Sequence, residues 1–221
     1  MAIIHLEPVK WEGVCDTHLG NSVYKRASGL WMMSKTSSKI DHNDPLSVIA
    51  HDRSRLYEIC DELEQIADQL GGQVNVQLCT SILNSLRHEL PLYHRDEETL
   101  FNLLLKRKPA DKVLAKCIEL AISEHSTIES YAFELAEPLG NMIARNGLRD
   151  VEAVGYLLRY SFEVYRQHLR WEDATIFDEM RYVVRDADKV SFQAGLVRNR
   201  HNMPDRGLHI VGRSFYHIDL S

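Results

Sequence analysis

Apolar residues recur every three or four positions through most of the chain, which is the spacing of amphipathic helices. Strand-like alternation is absent from the sequence, and the breaks in the pattern coincide with helix caps and helix breakers. The pattern predicts four long helices joined by short connections, an all-α arrangement typical of an up-down-up-down four-helix bundle. The predicted helices span residues 44–70, 74–106, 111–136 and 149–185, and their boundaries are marked by Asp44-Pro45, Gly71-Gly72, Pro138, Gly140 and Asp150.

The two ends of the chain lack this periodicity. Residues 1–43 predict an irregular N-terminal arm, residues 44–185 form the bundle, and residues 186–221 form a C-terminal extension. We expect the extension to be mostly irregular, with at most a short helix. Aromatic residues in the two arms offer a surface for a protein partner or for a homodimer: Trp11, Trp31, Phe192 and Phe215.

The composition is that of a soluble globular protein, with 44% hydrophobic and 26% charged residues among 221. The apolar runs are too short to span a membrane, and the N-terminus MAIIHLEPVKWEG has no signal-peptide pattern. Residues 44–180 hold 14 Lys and Arg against 24 Asp and Glu, and this acidic bundle argues against a nucleic-acid partner. The four cysteines form no CxxC pair, so we predict a cytoplasmic protein with reduced thiols.

Several ionisable residues fall on the apolar stripes and therefore point into the predicted bundle. His125 lies in the middle of the third stripe, and His168 and Glu172 are four residues apart on the inward face of the fourth helix. Buried imidazoles and carboxylates are costly unless they are paired or bound to metal. Their convergence on one layer predicts a metal site in the bundle core. The other candidate residues of this layer are Glu97, Tyr93, Arg53 and Glu129.

The stretch 92-LYHRDEETLF-101 contains two overlapping candidate pairs. Tyr93 and Glu97 continue the apolar stripe of the second helix, which predicts that they face inward. The same phase predicts that His94 and Glu98 turn toward solvent. A kink at Pro91 would rotate this part of the helix, so a second set of ligands remains open. These alternative ligands are His94, Glu98 and, in the first helix, His51.

Four segments of the chain resemble the hemerythrin-like, HHE cation-binding family: 44-DPLSVIAHDRSRLYEIC-60, 89-ELPLYHRDEETLF-101, 124-EHSTIE-129 and 168-HLRWEDATIF-177. The resemblance covers roughly residues 44–185 and neither arm. It implies a four-helix bundle that holds a non-haem di-iron centre, with ligands in the order His, His-xxx-Glu, His and His-xxx-Glu. Members of the family bind oxygen, sense oxygen or redox state, or handle nitric oxide and iron.

The second half of the family's ligand pattern is present, whereas the first half is altered. His125 matches the lone histidine of the third helix, and 168-HLRWE-172 matches the fourth-helix pair. The inward phase puts Arg53 and Tyr93 where the family has its first two histidines. A phenolate can bind ferric iron, whereas a guanidinium stays protonated and can only replace metal charge. The resemblance thus implies that Arg53 replaces charge and that the iron ligands are among Tyr93, Glu97, His125, Glu129, His168 and Glu172.

Two functions follow from this altered pattern. The first is a protein that binds one or two non-haem iron ions and senses or handles oxygen, peroxide or nitric oxide. The second is a bundle that has lost iron and acts as a regulatory protein-interaction module, with Arg53 neutralising the carboxylates. An enzyme such as a di-iron oxidase needs an open iron position and a substrate channel. The sequence shows neither, so enzymatic activity is not predicted.

Overall fold

A computed structural model describes residues 44–202 of the chain, and these residues are almost entirely helical, with no strand. The predicted all-α class is therefore confirmed. None of the helices in this range is long and apolar enough to cross a membrane. The helices are α1 (Pro45–Asp68), α2 (Val76–Asn84), α3 (Leu90–Arg107), α4 (Lys112–Ile143), α5 (Val151–Glu172), α6 (Asp178–Val183) and α7 (Asp186–His201).

The bundle helices begin at side chains that cap their first backbone N–H groups. The carboxylate of Asp44 accepts hydrogen bonds from the backbone N–H and the hydroxyl of Ser47, and Pro45 occupies the first turn of α1. After α1 the chain turns at Gly71, whose positive φ of 83° favours glycine. The caps of α2, α4 and α5 are Asn75, Asp111 and Asp150.

The second predicted helix is interrupted by a π-helical turn. Ser85–Glu89 joins α2 to α3, and the N–H of Leu90 donates to the carbonyl of Ser85, five residues earlier. Pro91 lies in the first turn of α3, directly after this turn. In a regular α-helix the proline ring would clash with the carbonyl four residues earlier, and the wider π-helical turn leaves room for it. The turn inserts one residue relative to an uninterrupted α-helix, so α3 is rotated by about 100° from the phase that α2 predicts.

Helix α4 extends beyond its predicted end. The sequence predicts a stop at Pro138 and Gly140, but the helix continues through both to Ile143. Leu139 and Met142 are buried in the core. Their packing outweighs the cost of a proline inside a helix, which is about 3 kcal/mol. The prediction of a break was wrong here because tertiary packing overrides local propensity.

The fourth predicted helix also contains a π-helical turn. Asp173–Phe177 separates α5 from α6, and α6 ends at Val183 rather than at the predicted residue 185. The four long segments of the bundle are α1, α2 with α3, α4, and α5 with α6. Helix α5 lies against both α1 and α4, and α2 lies against α4. Together they enclose a core built mainly of Leu and Ile side chains.

Residues 186–201 are helical, whereas the sequence predicted mostly irregular structure with at most a short helix there. Helix α7 is 16 residues long and packs against α3. Its Gly195 lies against Thr99, and its Arg200 pairs with the buried Asp96. Phe192 is buried within the chain, so it is not available for the partner surface that the sequence predicted. The other aromatic residues of that predicted surface lie outside the described residues: Trp11, Trp31 and Phe215.

Candidate metal centre

Arg53 of α1 is fully buried and is held by three carboxylates. Its Nη1 donates to Glu97 Oε1 on α3 at 2.6 Å and to Glu172 Oε2 on α5 at 2.9 Å. Its Nε donates to Asp173 Oδ1 at 2.8 Å, and its Nη2 donates to the carbonyl of Leu169 at 2.9 Å. The cation predicted from the sequence therefore faces inward and joins α1 to the helices that carry the candidate ligands.

Beside Arg53, the donor atoms of five buried side chains converge. Nε2 of His125 is 3.4 Å from Glu97 Oε2 and 3.4 Å from Glu172 Oε1. Nε2 of His168 is 3.3 Å from Glu172 Oε2. The side chains form two overlapping groups, and within each group the ligand atoms lie within 4.8 Å of one another: His94, Glu97 and His125, and His125, His168 and Glu172.

Several of these buried atoms have no hydrogen-bond partner among the described residues. They are Glu97 Oε2, Glu172 Oε1, Nε2 of His168 and both ring nitrogens of His125. Buried polar atoms are nearly always paired in folded proteins, and an unpaired one costs about 1–3 kcal/mol. A cation bound between those of the atoms that face one another would explain why they have no partner in the described part of the protein.

Each of the three histidines has a carboxylate near its Nδ1, and two of these carboxylates accept a hydrogen bond from it. The distances are 2.9 Å for His94 with Glu129 and 2.8 Å for His168 with Glu124. A carboxylate in this position fixes the orientation of the ring and leaves the lone pair on Nε2 for a metal. Glu98 Oε1 lies 3.5 Å from Nδ1 of His125, without a hydrogen bond between them.

His94 is the main difference from the sequence prediction. The apolar stripe predicts that it turns toward solvent, but it is only 1% exposed and stacks on His125 with ring centroids 4.0 Å apart. The cause is the π-helical turn Ser85–Glu89, which rotates α3 so that Leu90, His94 and Glu97 are buried together. The prediction that His94 turns toward solvent was therefore wrong, whereas Glu97 is buried as predicted. That His94 is a metal ligand stays a prediction.

Tyr93, a predicted ligand, lies toward a different pair of carboxylates. It is partly buried against the core, and burial, with the charges of Asp52 and Glu89, raises the pKa of its phenol. A raised pKa opposes the phenolate form that iron binds. The remaining candidates lie outside both donor groups: Glu129 stands behind His94, Glu98 stands behind His125, and His51 is half-buried on α1.

Tyr165 of α5 contacts the centre and was not predicted from the sequence. It is buried, and its hydroxyl donates to Nε2 of His94 at 3.3 Å. Tyr165 precedes His168 by three residues and so shares its helix face. This spacing was the signal that could have identified Tyr165 from the sequence.

Asp173 was also missed. It accepts from Arg53 on one oxygen and from the hydroxyl of Tyr57 on the other, at 2.7 Å. Asp173 directly follows Glu172, and neighbouring residues of a regular helix point in directions about 100° apart. The π-helical turn begins at this position and brings both carboxylates to Arg53. No spacing rule would have identified it.

The buried charges of the centre shift the pKa values of its residues. Burial, followed by the nearby charge of Glu172, raises the pKa of Glu97 to about 8. Burial alone would lower the pKa of His125, but its contacts with Glu172 and Glu98 outweigh this and raise it to about 10. Burial holds the pKa of His94 well below its usual range. The raised pKa of His125 favours its protonated form beside these carboxylates.

The donor set suits a transition-metal cation. Imidazole nitrogens and carboxylate oxygens are common ligands of zinc and of non-haem iron. Donor atoms that bind one ion at about 2.1 Å lie roughly 3 Å apart, and the separations between ligand atoms here are 3.3 and 3.4 Å. The carboxylates behind the histidines are also usual at metal sites. The residues present therefore fit a bound metal ion.

A comparison with models of protein families matches residues 44–180 to the hemerythrin HHE cation-binding domain. The match covers more than half of the chain and includes every helix that contributes to the centre. The chain belongs to the hemerythrin HHE family. Comparisons with curated proteins and with solved structures gave no significant match. In this hemerythrin-family chain the candidate ligands lie on α3, α4 and α5, whereas α1 contributes Arg53.

Proposed function

We propose that this hemerythrin-family protein binds non-haem iron at the centre and senses or handles dioxygen, peroxide or nitric oxide. The observation that carries the proposal is the set of buried, unpaired donor atoms on Glu97, His125, His168 and Glu172. Histidine and carboxylate ligands together are typical of non-haem iron. The family's description as cation-binding supports the same reading.

The surroundings of the centre favour a small ligand. The ring of Phe101 lies beside His125, with centroids 6.0 Å apart. A space of only about 10 Å³, lined mainly by apolar side chains, reaches Tyr165. It holds no more than about one water-sized molecule. These surroundings support a ligand of very few atoms rather than a larger substrate.

Iron, when bound, would supply a redox-active position for such a ligand. The chain's own residues orient this position, because the carboxylates behind His94 and His168 keep the Nε2 of each ring turned inward. Tyr165 provides a buried hydroxyl at the same place. If Nε2 of His94 binds the metal, the Tyr165 O–H no longer donates to that nitrogen and is free to donate to a bound ligand.

The test is the iron content of protein expressed in iron-rich medium. We expect iron by elemental analysis and visible absorption from ligand-to-metal charge transfer. His168→Ala removes a ligand nitrogen and should abolish both signals, whereas His201→Ala alters an exposed residue of α7 and should change neither. A wild-type protein that is colourless and free of metal would contradict the proposal.

A metal-free regulatory module is the second candidate, and the complete pairing of Arg53 favours it. The guanidinium already binds Glu97, Glu172 and Asp173, and a proton on His125 adds a further positive charge. The centre would then act as a structural network, and a protein partner would bind elsewhere on the chain. Titration with ferrous iron separates the two candidates, because this one predicts no binding.

We also propose that the protein acts in the cytosol. Within the described residues, Cys60 and Cys79 are free and buried. Burial raises the pKa of Cys60 to about 12, which keeps its thiol unreactive. Free thiols are typical of reducing compartments. Recovery of the protein only from an oxidising or secreted fraction of cells would contradict this location.

A further inference from the structure

We infer that Arg53 occupies the place of a second metal ion and that the centre therefore takes one cation per chain. The inference rests on the proposed metal binding and adds its stoichiometry. The evidence is the orientation of Glu97 and Glu172: each directs one carboxylate oxygen toward Arg53 and the other toward the histidines.

In each of these two carboxylates, one oxygen faces Arg53 and the other faces His125. Glu97 Oε1 accepts from Arg53 at 2.6 Å, while its Oε2 is 3.4 Å from Nε2 of His125. Glu172 Oε2 accepts from Arg53 at 2.9 Å, while its Oε1 is 3.4 Å from the same nitrogen. Carboxylates that bridge two metal ions give one oxygen to each ion. In this chain a guanidinium stands on one side of the bridge and imidazole nitrogens stand on the other.

The donors on the histidine side serve one ion only. Nε2 of His125 lies 3.4 Å from an oxygen of Glu97 and 3.4 Å from an oxygen of Glu172, whereas its Nδ1 lies toward Glu98. Nε2 is therefore the nitrogen that His125 offers to a metal, and its one lone pair cannot bind two ions at once. Both candidate groups contain His125 and overlap at this nitrogen, so we infer that they describe a single site.

Contacts outside the bridge keep Arg53 in place. Its Nε donates to Asp173, and its Nη2 donates to the carbonyl of Leu169. The centre of the guanidinium lies 3.8 Å from the centroid of the Phe177 ring. Asp173 is in turn held by the hydroxyl of Tyr57. A guanidinium with these contacts remains when a metal binds beside it, and it stays protonated, so it excludes a second ion.

The test is the metal stoichiometry at saturation. Metal-free wild-type protein is titrated with ferrous iron under anaerobic conditions, and the iron bound per chain is determined by elemental analysis after desalting. We expect one iron per chain. Two iron ions per chain would overturn the inference and leave the proposed function intact, whereas no bound iron would overturn the proposed function itself.

Arg53→His tests the role of the arginine directly. An imidazole at this position can join Glu97, Glu172 and Asp173 as ligands, so the stoichiometry should rise from one iron to two. Arg53→Lys keeps the positive charge and should stay at one. A folded Arg53→His protein that still binds one iron would overturn the inference. Circular dichroism establishes folding, and if Arg53→His does not fold, the wild-type stoichiometry decides alone.

Discussion

Removal of the Arg53 guanidinium would leave the carboxylates of Glu97, Glu172 and Asp173 buried without their cation. Breaking a buried ion pair from one side typically costs about 3–5 kcal/mol. We therefore expect Arg53→Met to lower the free energy of unfolding by an amount in this range when a chelator keeps metal away. Urea unfolding followed by circular dichroism measures the change.

The matched control for this prediction is an exposed ion pair. Lys116 and Glu119 are 2.8 Å apart on the surface of α4, with both side chains more than half exposed. Pairs of this kind contribute little to stability because solvent screens them. Lys116→Ala should leave the unfolding midpoint within experimental error. Similar losses from the two substitutions would show that the Arg53 network is not the main electrostatic support of the centre.

Residue spacing predicted part of the centre. Glu97, His125, His168 and Glu172 were expected to face inward from their positions on the apolar stripes, and all four are buried. Spacing identifies the face of a helix but not the partner across the bundle. It could not show that the carboxylates would meet a guanidinium on one side and imidazoles on the other.

At the scale of helices, two π-helical turns orient the segments that carry the ligands. Ser85–Glu89 precedes α3, and Asp173–Phe177 follows α5. Such turns are often found at functional sites. An inserted residue leaves a regular stripe on either side of it, so hydrophobic periodicity does not reveal the change of phase. This is why His94 of α3 was predicted to turn toward solvent, although Glu97 of the same helix was predicted to face inward and does.

Deletion of Arg87 tests the role of the first π-helical turn. This exposed residue lies within Ser85–Glu89, and its removal would restore a continuous α-helix. The π-helical turn already absorbs one additional residue, so the residues of α3 would keep their present rotational phase, and His94 and Glu97 would stay at the centre. We expect metal binding to be retained, measured by elemental analysis.

Insertion of one alanine after Arg87 is the opposite change, because a further residue would rotate the rest of α3 by about 100° and take His94 and Glu97 away from the centre. We expect the insertion to abolish metal binding and to lower the melting temperature, measured by elemental analysis and by thermal unfolding. A folded deletion variant that loses the metal, or an insertion variant that keeps it, would show that the turn is not one additional residue that sets the phase of α3.

Helix α7 was predicted as irregular because few of its residues are apolar. Ion pairs to the bundle help to hold it instead. Arg107 of α3 pairs with Asp188, and Arg200 pairs with both Asp96 and Asp52. Charged residues scattered along a helix give no apolar period, and their partners lie about 80 to 150 positions away in the chain. Sequence pattern alone therefore cannot identify such a helix.

Gly195→Ala tests the packing of α7 on α3. A Cβ at Gly195 would lie 2.6 Å from Cγ2 of Thr99, whose β-branched side chain is stiff. The helices must separate to relieve this contact, and overpacking of this kind costs about 1–3 kcal/mol. Gly140→Ala is the control, since nothing lies within 4 Å of its added Cβ. Thermal unfolding compares them, and a Gly195→Ala protein as stable as Gly140→Ala would contradict the close contact.

For the whole molecule, the helix-period stripes and the caps predicted the bundle well. The strongest signals were local, such as Asp44-Pro45 before α1 and Gly71-Gly72 after it. Local signals failed at Pro138, where burial of the following residues keeps α4 intact. The overall architecture depends on the summed apolar pattern of many residues. The centre depends on a few side chains and on the one additional residue that sets the rotational phase of α3.

Removal of metal should weaken the molecule without unfolding it. The Arg53 network and the apolar core remain when metal leaves. A ligand present at 100 to 1,000 times its Kd stabilises a fold by roughly 3–4 kcal/mol, which corresponds to roughly 10 °C in Tm for a chain of this size. Chelation should lower the Tm of the wild-type protein accordingly and leave that of His168→Ala unchanged. An unchanged wild-type Tm would favour the metal-free module.

Anomalous diffraction at the iron edge, from crystals grown with ferrous iron, tests the central claim most directly. The account predicts a single peak per chain between Nε2 of His125 and the carboxylates of Glu97 and Glu172, with the Arg53 guanidinium still in place beside it. Two peaks bridged by those carboxylates, or a peak at His51 or Tyr93, would contradict it.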